Sequence, residues 1–476
     1  MDIQKTSPDI SAENSPKTAH TAEAIATVRA DVVARAAGYA AEYLAGVDER
    51  GVAPATAAVD ALAELCGAVP EGSTDAAAVV EMLHRVGSPG TVASSGGRYF
   101  GFVVGGMVPA ALGAGVLANA WNQNAGMQAQ TPTAAILEAT AVRWVAELLG
   151  LPEGTGGAVV TGATMANFCG LAAARHALLE RAGWDVEADG LFGAPPITVV
   201  VGDEVHSSVI KALGMLGMGR RRVVRVPVDG QGRMRIDSLP RLDERTIVCL
   251  QAGNVNTGSF DPAGAICPAA RELGAWIHVD GAFGLWATTS EKLRHLTAGF
   301  ELADSWATDG HKWPNVGYDC GVALVREPKW LKAAMAIQAA YLVLDGAREP
   351  SHYNPELSRR ARGVELWAAL KSLGRAGLGE IVERTTAHAQ RFAEGLRAAG
   401  FRVLNDVVIN QVLVQFGAAE ETLRVASRLQ AEGTCWCGTT VWQGQTAMRI
   451  SVSSWATTEA DVALSLGAML RAAARQ

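Results

Sequence analysis

No long apolar run follows the first Met: residues 1–20 (MDIQKTSPDISAENSPKTAH) are mostly polar, which argues against a secretory signal and reads as a mobile tail. Positive charge is also short. Lys and Arg number 41 against 48 Asp and Glu, a net charge of −7, which disfavours a surface built for polyanions. Residues 1–95 carry no basic helix-turn-helix pattern, which weighs against a regulator's effector domain joined to a DNA-binding segment. The seven cysteines, at 66, 169, 249, 267, 320, 435 and 437, form an odd and scattered set that predicts reduced thiols and a cytoplasmic setting. Cys435 and Cys437 are one residue apart, neither a redox CxxC nor a zinc pair, so no metal is expected. Charge disappears altogether from residues 99–137, but Gly101, Gly105, Gly106, Pro109, Gly113 and Gly115 break the run, followed by Asn122, Gln123 and Asn124. That is too interrupted for a membrane span and fits buried backbone of a soluble fold.

What is present is apolar material: 49% hydrophobic residues in 476, enough for two or three packed units. Residues from about 22 to 95 hold Ala, Leu and Val at helical spacing. The centre alternates helical stretches with short runs, Ile197–Val201, Ile247–Gln251, Trp276–Asp280 and Gly321–Val325, that are apolar on both faces. Such strands are covered by helices on both sides, an α/β arrangement with a parallel-type sheet. A helix is predicted from Pro132 to Leu149, with Thr131 as cap and Gly150 as stop. Beyond residue 356 come helices over Leu357–Leu373 and Gly379–Ala399, strands near Gln411–Phe416 and Ala447–Val452, and a helix from Thr458. The expected organisation is a tail and helical segment (1–95), a large domain (96–355) and a small C-terminal α/β domain (356–476).

Four segments carry chemistry. Val159-Val160-Thr161-Gly162-Ala163-Thr164-Met165-Ala166-Asn167 reads as a strand, a glycine turn and a helix start, where backbone N–H groups and the Thr164 hydroxyl can bind phosphate. Strand–turn–helix junctions are common, so this signal alone is weak. His278-Val279-Asp280-Gly281-Ala282-Phe283-Gly284 puts a carboxylate at a strand's C-terminal end, where open α/β sheets bind ligands, although Asp before Gly also serves plain turns. Ala307-Thr308-Asp309-Gly310-His311-Lys312-Trp313 sets a lysine between a histidine and a tryptophan; a desolvated lysine amine can attack a carbonyl to form an imine. The competing reading is a surface lysine near a turn. Finally, His206 in Val205-His206-Ser207-Ser208-Val209 is either a satisfied core histidine or a ring stacked on a planar cofactor.

Together these segments resemble the group II pyridoxal-phosphate-dependent decarboxylases, the family of aromatic amino acid, glutamate and histidine decarboxylases, from about Arg98-Tyr99-Phe100-Gly101-Phe102 through Ile450-Ser451. The resemblance implies the pyridoxal-phosphate-dependent transferase fold (fold type I, aspartate aminotransferase-like), with a large mixed-sheet domain and a small C-terminal α/β domain. It implies pyridoxal 5'-phosphate as cofactor, Lys312 as the lysine that carries it as an imine, and Asp280 as partner of the pyridine nitrogen. Ala282 and His206 would cover the two ring faces, Ala163 and Thr164 would hold the phosphate, and His311 would complete the cofactor contacts. Tyr341 matches a mobile-loop tyrosine that would protonate Cα after carbon dioxide leaves. The substrate segment would be Tyr99, Phe100, Phe102, Val103 and Val104, whose apolar character favours an aromatic or hydrophobic L-amino acid. A homodimer with shared active sites is the implied assembly.

Three positions depart from the family's pattern or complicate it. Asn254 stands where a cofactor-contacting Thr is frequent, and is expected to donate in its place. Asp309 replaces an Asn; an anion there repels a phosphate unless it turns away, and Thr308 would then supply the contact. Arg449 keeps an aminotransferase or carbon–carbon lyase on the same fold as the alternative, because a substrate carboxylate held in a firm salt bridge resists leaving; a structural ion pair at the domain interface is the favoured role.

Overall fold

The computed structural model describes residues 22–336 and 348–474. Among these, contacts divide the chain into two compact units, residues 22–47 with 54–91 and residues 48–53 with 92–474. In the first unit the helix Ala22–Ala45 is followed by the short helices Thr56–Ala61 and Ala76–Met82, and the Tyr39 ring stacks on His84 at 4.3 Å.

The second unit is built on a seven-stranded sheet. Its strands are β1 (Gly156–Val160), β2 (Thr198–Gly202), β3 (Val224–Val226), β4 (Thr246–Gln251), β5 (Trp276–Asp280), β6 (Ser305–Asp309) and β7 (Gly321–Val325), in the order β1-β7-β6-β5-β4-β2-β3. The run from β6 to β3 is parallel, while β7 lies antiparallel to both neighbours, which makes the sheet mixed. Every residue of β4, β5, β6 and β7 is buried, so both faces are covered, which explains why these strands read as continuous apolar runs. The helix Ala163–Arg181 lies on one face; Ile247 and Cys249 of β4 and Ala307 of β6 join its core, while Val248, Leu250 and Trp306 face the other.

A second sheet, of order β10-β11-β9-β8, is formed by β8 (Arg402–Val403), β9 (Gln411–Gln415), β10 (Gly438–Trp442) and β11 (Gln445–Ser451). The two helices expected over Leu357–Leu373 and Gly379–Ala399 form one element, Gly363–Ala398, interrupted at Gly374 where φ is +59°, a conformation glycine adopts without steric cost. Its residues through Val382 pack in the large core; Ala389, Phe392, Ala393 and Leu396 pack against the small sheet. The helix Pro132–Leu148 starts with its proline in the first turn as expected, but the Thr131 hydroxyl turns back to the carbonyls of Asn124 and Met127 rather than capping it. Among the described residues no helix is long and apolar enough to cross a membrane.

Candidate active site

The C-terminal ends of β5 and β6 and the turn after β1 meet at one cavity of about 340 Å³. β5 delivers Asp280, only 5% exposed. Its Oδ2 accepts from Asn167 Nδ2 at 3.1 Å and lies 3.2 Å from the Ser208 hydroxyl; its Oδ1 accepts a longer 3.3 Å bond from the Ala282 N–H. His206 precedes the helix Ser207–Met215 and caps it, its Nδ1 accepting from Ser208 N at 3.3 Å and lying 2.7 Å from Ser208 Oγ. Burial pushes the His206 pKa down despite the opposing pull of Asp280, and burial does the same for His311. Both rings therefore favour the neutral form at neutral pH.

Lys312 follows β6 in the turn that returns to β7, and its Nζ lies 3.1 Å from Asp309 Oδ2. Asp309 does not turn away from the phosphate turn: its Oδ1 accepts the Ala163 N–H at 2.6 Å, at the first residue of the helix Ala163–Arg181. Gly162 gives that turn its room, since a Cβ there would sit 3.1 Å from the His311 ring. Beside it neither the Thr164 N–H nor its hydroxyl bonds to another of the described residues, leaving two donors at the cavity edge.

Of the residues singled out in the sequence, Ala163, Thr164, His206, Asp280, Ala282, His311 and Lys312 line this cavity together. Others do not. Thr308 alternates with Asp309 along β6 and faces the opposite side of the sheet, fully buried with its hydroxyl unpartnered, so it supplies no phosphate contact here. Asn254 is spent on its own turn: Oδ1 accepts from the Asn256 and Thr257 N–H groups and Nδ2 donates to Glu204, so the cavity receives Gly253 and Val255 instead. None of Tyr99, Phe100, Phe102, Val103 and Val104 lines the cavity. Phe100 and Val103 are core residues, Phe100 meeting Phe392 edge-on, while Tyr99 and Phe102 stack on Trp436. The segment nevertheless passes against the lysine turn, for a Cβ on Gly105 would fall 2.1 Å from the Lys312 carbonyl. Phe102 is 64% exposed, and it and Val103 hold left-handed φ values of 53° and 60°, a strained pair in side chains of this size. Tyr341 lies outside the described residues. Arg449 lacks the expected ion pair: among the described residues no carboxylate pairs with it, its Nη1 donates to the Val255 carbonyl at 3.0 Å, and burial lowers its pKa.

Sequence reasoning gave no role to Asn167, Gln251 or Tyr318. Asn167 left a signal, an amide one turn into an otherwise Ala- and Leu-rich helix and on its buried face. Tyr318 had none in sequence; it lines the cavity and stacks on His311 at 4.4 Å while 61% of its surface stays exposed. Among the described residues no cluster of His, Cys, Asp and Glu could hold a metal ion.

The pyridoxal-dependent decarboxylase conserved domain matches residues 62–417. The chain is 27% identical over 461 residues to tryptophan decarboxylase 1 of Oryza sativa subsp. japonica, with 88% of each chain covered. It is also 27% identical over 307 residues to L-2,4-diaminobutyrate decarboxylase of Acinetobacter baumannii, covering 60% of each. Among solved structures, the Oryza sativa TDC with PLP and tryptamine superposes with a TM-score of 0.85 at 23% identity, over 96% of this chain and 98% of that one. The likeness in structure bears out the fold type I architecture.

Proposed function

The chain belongs to the pyridoxal-dependent decarboxylase family, and from that premise we propose that it removes the carboxyl group of an aromatic or otherwise hydrophobic L-amino acid, giving the amine and carbon dioxide. The observation that carries the reading is the convergence of Asp280, Lys312 and His206 on one cavity beside a helix start with free donors. A buried carboxylate, a primary amine, a neutral imidazole and unpaired N–H and O–H donors are the set that a pyridine ring, an aldehyde and a phosphate require, so the residues present fit pyridoxal phosphate. Bound, the cofactor supplies a sink for the electron pair left on Cα when the carboxyl group departs.

In this reading the chain's own groups have distinct tasks. Asp280 holds a proton on the ring nitrogen; at ~3 Å and an effective dielectric of ~20 such a pair gains roughly 5 kcal/mol before desolvation. Lys312 Nζ would hold the cofactor through its carbonyl carbon, and Thr164 with the Ala163 turn would receive the phosphate. His206 and Ala282 would flank the ring, and the neutral imidazole would leave the positive charge to the ring nitrogen. Tyr341 is assigned the proton return to Cα. Arg449, whose guanidinium meets no carboxylate among the described residues and bonds to Val255 of the cavity wall, is assigned a loose docking contact with the substrate's carboxylate that is given up before the carboxyl group departs, since a firm salt bridge there would oppose the reaction.

The substrate class is supported by the walls: Phe283, Val255 and Tyr318 line the cavity, and among the described residues no Lys or Arg other than Lys312 does. With Lys312 taken by the cofactor and Arg449 by the α-carboxylate, the second carboxylate of a diacid would find no further cation among the described residues of the cavity. We read the enzyme as a cytoplasmic homodimer with shared sites. The seven cysteines are all free, and Val116, Leu117 and Trp121 stand exposed on the helix Pro109–Trp121. A screen of the twenty amino acids plus dihydroxyphenylalanine, measuring carbon dioxide and keto acid separately, tests the function. Keto acid without carbon dioxide would sink the reaction, and activity confined to glutamate or aspartate would sink the substrate class. Sedimentation of the purified chain checks the dimer.

A further inference from the structure

Behind Asp280 runs a chain of buried hydrogen bonds that no step above uses. Asn167 Nδ2 reaches Asp280 Oδ2 at 3.1 Å and Ser208 Oγ at 3.0 Å, while Asn167 Oδ1 lies 2.8 Å from His278 Nε2. His278 Nδ1 lies 2.8 Å from Ser305 Oγ, which in turn accepts the Trp276 indole N–H at 2.9 Å. Trp276, His278 and Asp280 alternate along β5 and so share one face. Asn167, His278 and Ser305 have no exposed surface, and Trp276 has 2%. The ring fits because residue 170 is glycine: a Cβ there would sit 2.7 Å from His278 Cε1.

The polarity of this chain is fixed from both ends. An ionised Asp280 only accepts, so Asn167 must present its nitrogen to it and its oxygen to His278. His278 Nε2 must then carry the proton. Burial drives the His278 pKa down to about 4, so the ring is neutral at neutral pH and Nδ1 is bare. Ser305 therefore donates to Nδ1 and accepts from the indole, which can only donate. Reversing any member sets two acceptors, or two donors, against each other inside the core, a mismatch costing about as much as an unmade buried hydrogen bond.

We propose that Asn167 and His278 are positioning residues that hold Asp280 as an ionised, fixed carboxylate, leaving Oδ1, whose one partner among the described residues is the long Ala282 bond, for the cofactor's ring nitrogen. The proposal rests on the assignment of Asp280 to that nitrogen. It deepens that assignment by extending the site through the Ala163–Arg181 helix to a tryptophan on the far side of His278.

The test uses the full chain loaded with pyridoxal phosphate labelled with 15N at the ring nitrogen, comparing wild type with Asn167→Leu, His278→Phe and His278→Gln. Two quantities are read: the cofactor dissociation constant and the 15N shift, which reports protonation of the ring nitrogen. Asn167→Leu and His278→Phe are expected to weaken cofactor binding roughly tenfold or more, the worth of one charge-assisted hydrogen bond, and to move the 15N signal toward the unprotonated value. His278→Gln keeps an N–H near the Nε2 position and is expected to restore both toward wild type. Wild-type 15N signals in Asn167→Leu and His278→Phe would overturn the proposal alone, as would a His278→Gln no better than His278→Phe. A wild-type chain that binds no cofactor would overturn the reading of the site and this proposal with it.

Discussion

Lys312 Nζ and Asp309 Oδ2 stand 3.1 Å apart, and the same carboxylate spends its other oxygen on the Ala163 N–H at the start of the Ala163–Arg181 helix. One side chain thus ties the reactive amine to the phosphate turn. It also places a negative charge where an incoming phosphate needs donors, so cofactor and carboxylate compete for one helix terminus.

Replacing that carboxylate by an amide of the same shape removes the negative charge while keeping an acceptor for the Ala163 N–H. Asp309→Asn is expected to tighten binding of the cofactor, and of inorganic phosphate alone, by about 1 kcal/mol or roughly fivefold in Kd. Calorimetric titration of the apo chain checks it. Unchanged or weaker binding would show that Asp309 moves clear at no cost.

Lys312 stands 3.1 Å from Asp309 in the cavity, and among the described residues no other lysine lines it. Lys312→Ala is expected to abolish the visible absorbance of the lysine-bound cofactor and to lower kcat by at least about a thousandfold, the loss of a nucleophile and of a general acid–base group together. Absorbance spectra of the reconstituted variant decide this, and a persistent band would remove Lys312 from its assigned role.

Much of the site was readable from residues because its parts sit at fixed places in the fold. Trp276–Asp280 and Gly321–Val325 appear as strands with the boundaries read from their apolar runs, and Asp280 falls at the strand end where such sheets bind ligands. β6 was missed, since Ser305-Trp306-Ala307-Thr308-Asp309 has neither a β-branched run nor clean alternation; its strand character comes from pairing with β5 and β7. Missing it also hid that Thr308 and Asp309 point to opposite faces, which is why Thr308 was credited with a contact that it does not make. Asn254 was misjudged for another reason. Its own backbone N–H neighbours claim the side chain, a local competition that resemblance to a relative with Thr does not reveal. Resemblance to the family assigns the Tyr99–Val104 segment to the substrate pocket, and its apolar character then speaks for a hydrophobic substrate; yet Phe100 and Val103 serve the core, and apolar character does not distinguish the two uses.

Arg449 has a lowered pKa through burial, no carboxylate partner among the described residues, and a single bond to the Val255 carbonyl. A guanidinium in that condition recovers lost hydration by meeting a substrate carboxylate. Arg449→Met, which keeps the apolar stem, is expected to raise KM roughly tenfold or more while kcat stays within about threefold, the pattern of an interaction made in substrate binding rather than gained in the transition state. Steady-state kinetics on the best substrate of the amino acid screen check it. A fall in kcat with KM unchanged would place Arg449 in the chemical step instead.

His278 also makes stability depend on pH in a window that its burial defines. The folded-state pKa is depressed to about 4 from an ordinary 6.5. Between those values the unfolded chain binds more protons at this ring than the folded chain does, so stability rises with pH across the window. The contribution is fully present above about 6.5 and is lost as pH falls toward about 4, amounting to roughly 3 kcal/mol at 1.36 kcal/mol per pKa unit. Other histidines with lowered pKa values, among them His206 and His311, slope the same way, so the wild-type curve alone cannot isolate one ring. The difference between wild type and His278→Gln does, because glutamine does not titrate. Denaturant unfolding of the apo chains at pH 7 and pH 5 should show the wild type losing about 1 to 2 kcal/mol more than His278→Gln on acidification. Equal losses would mean that His278 accepts a proton in the folded state as readily as in the unfolded one. A doubly protonated ring would then face Asn167 and Ser305, and the polarity that runs from Trp276 to Asp280 would no longer be forced.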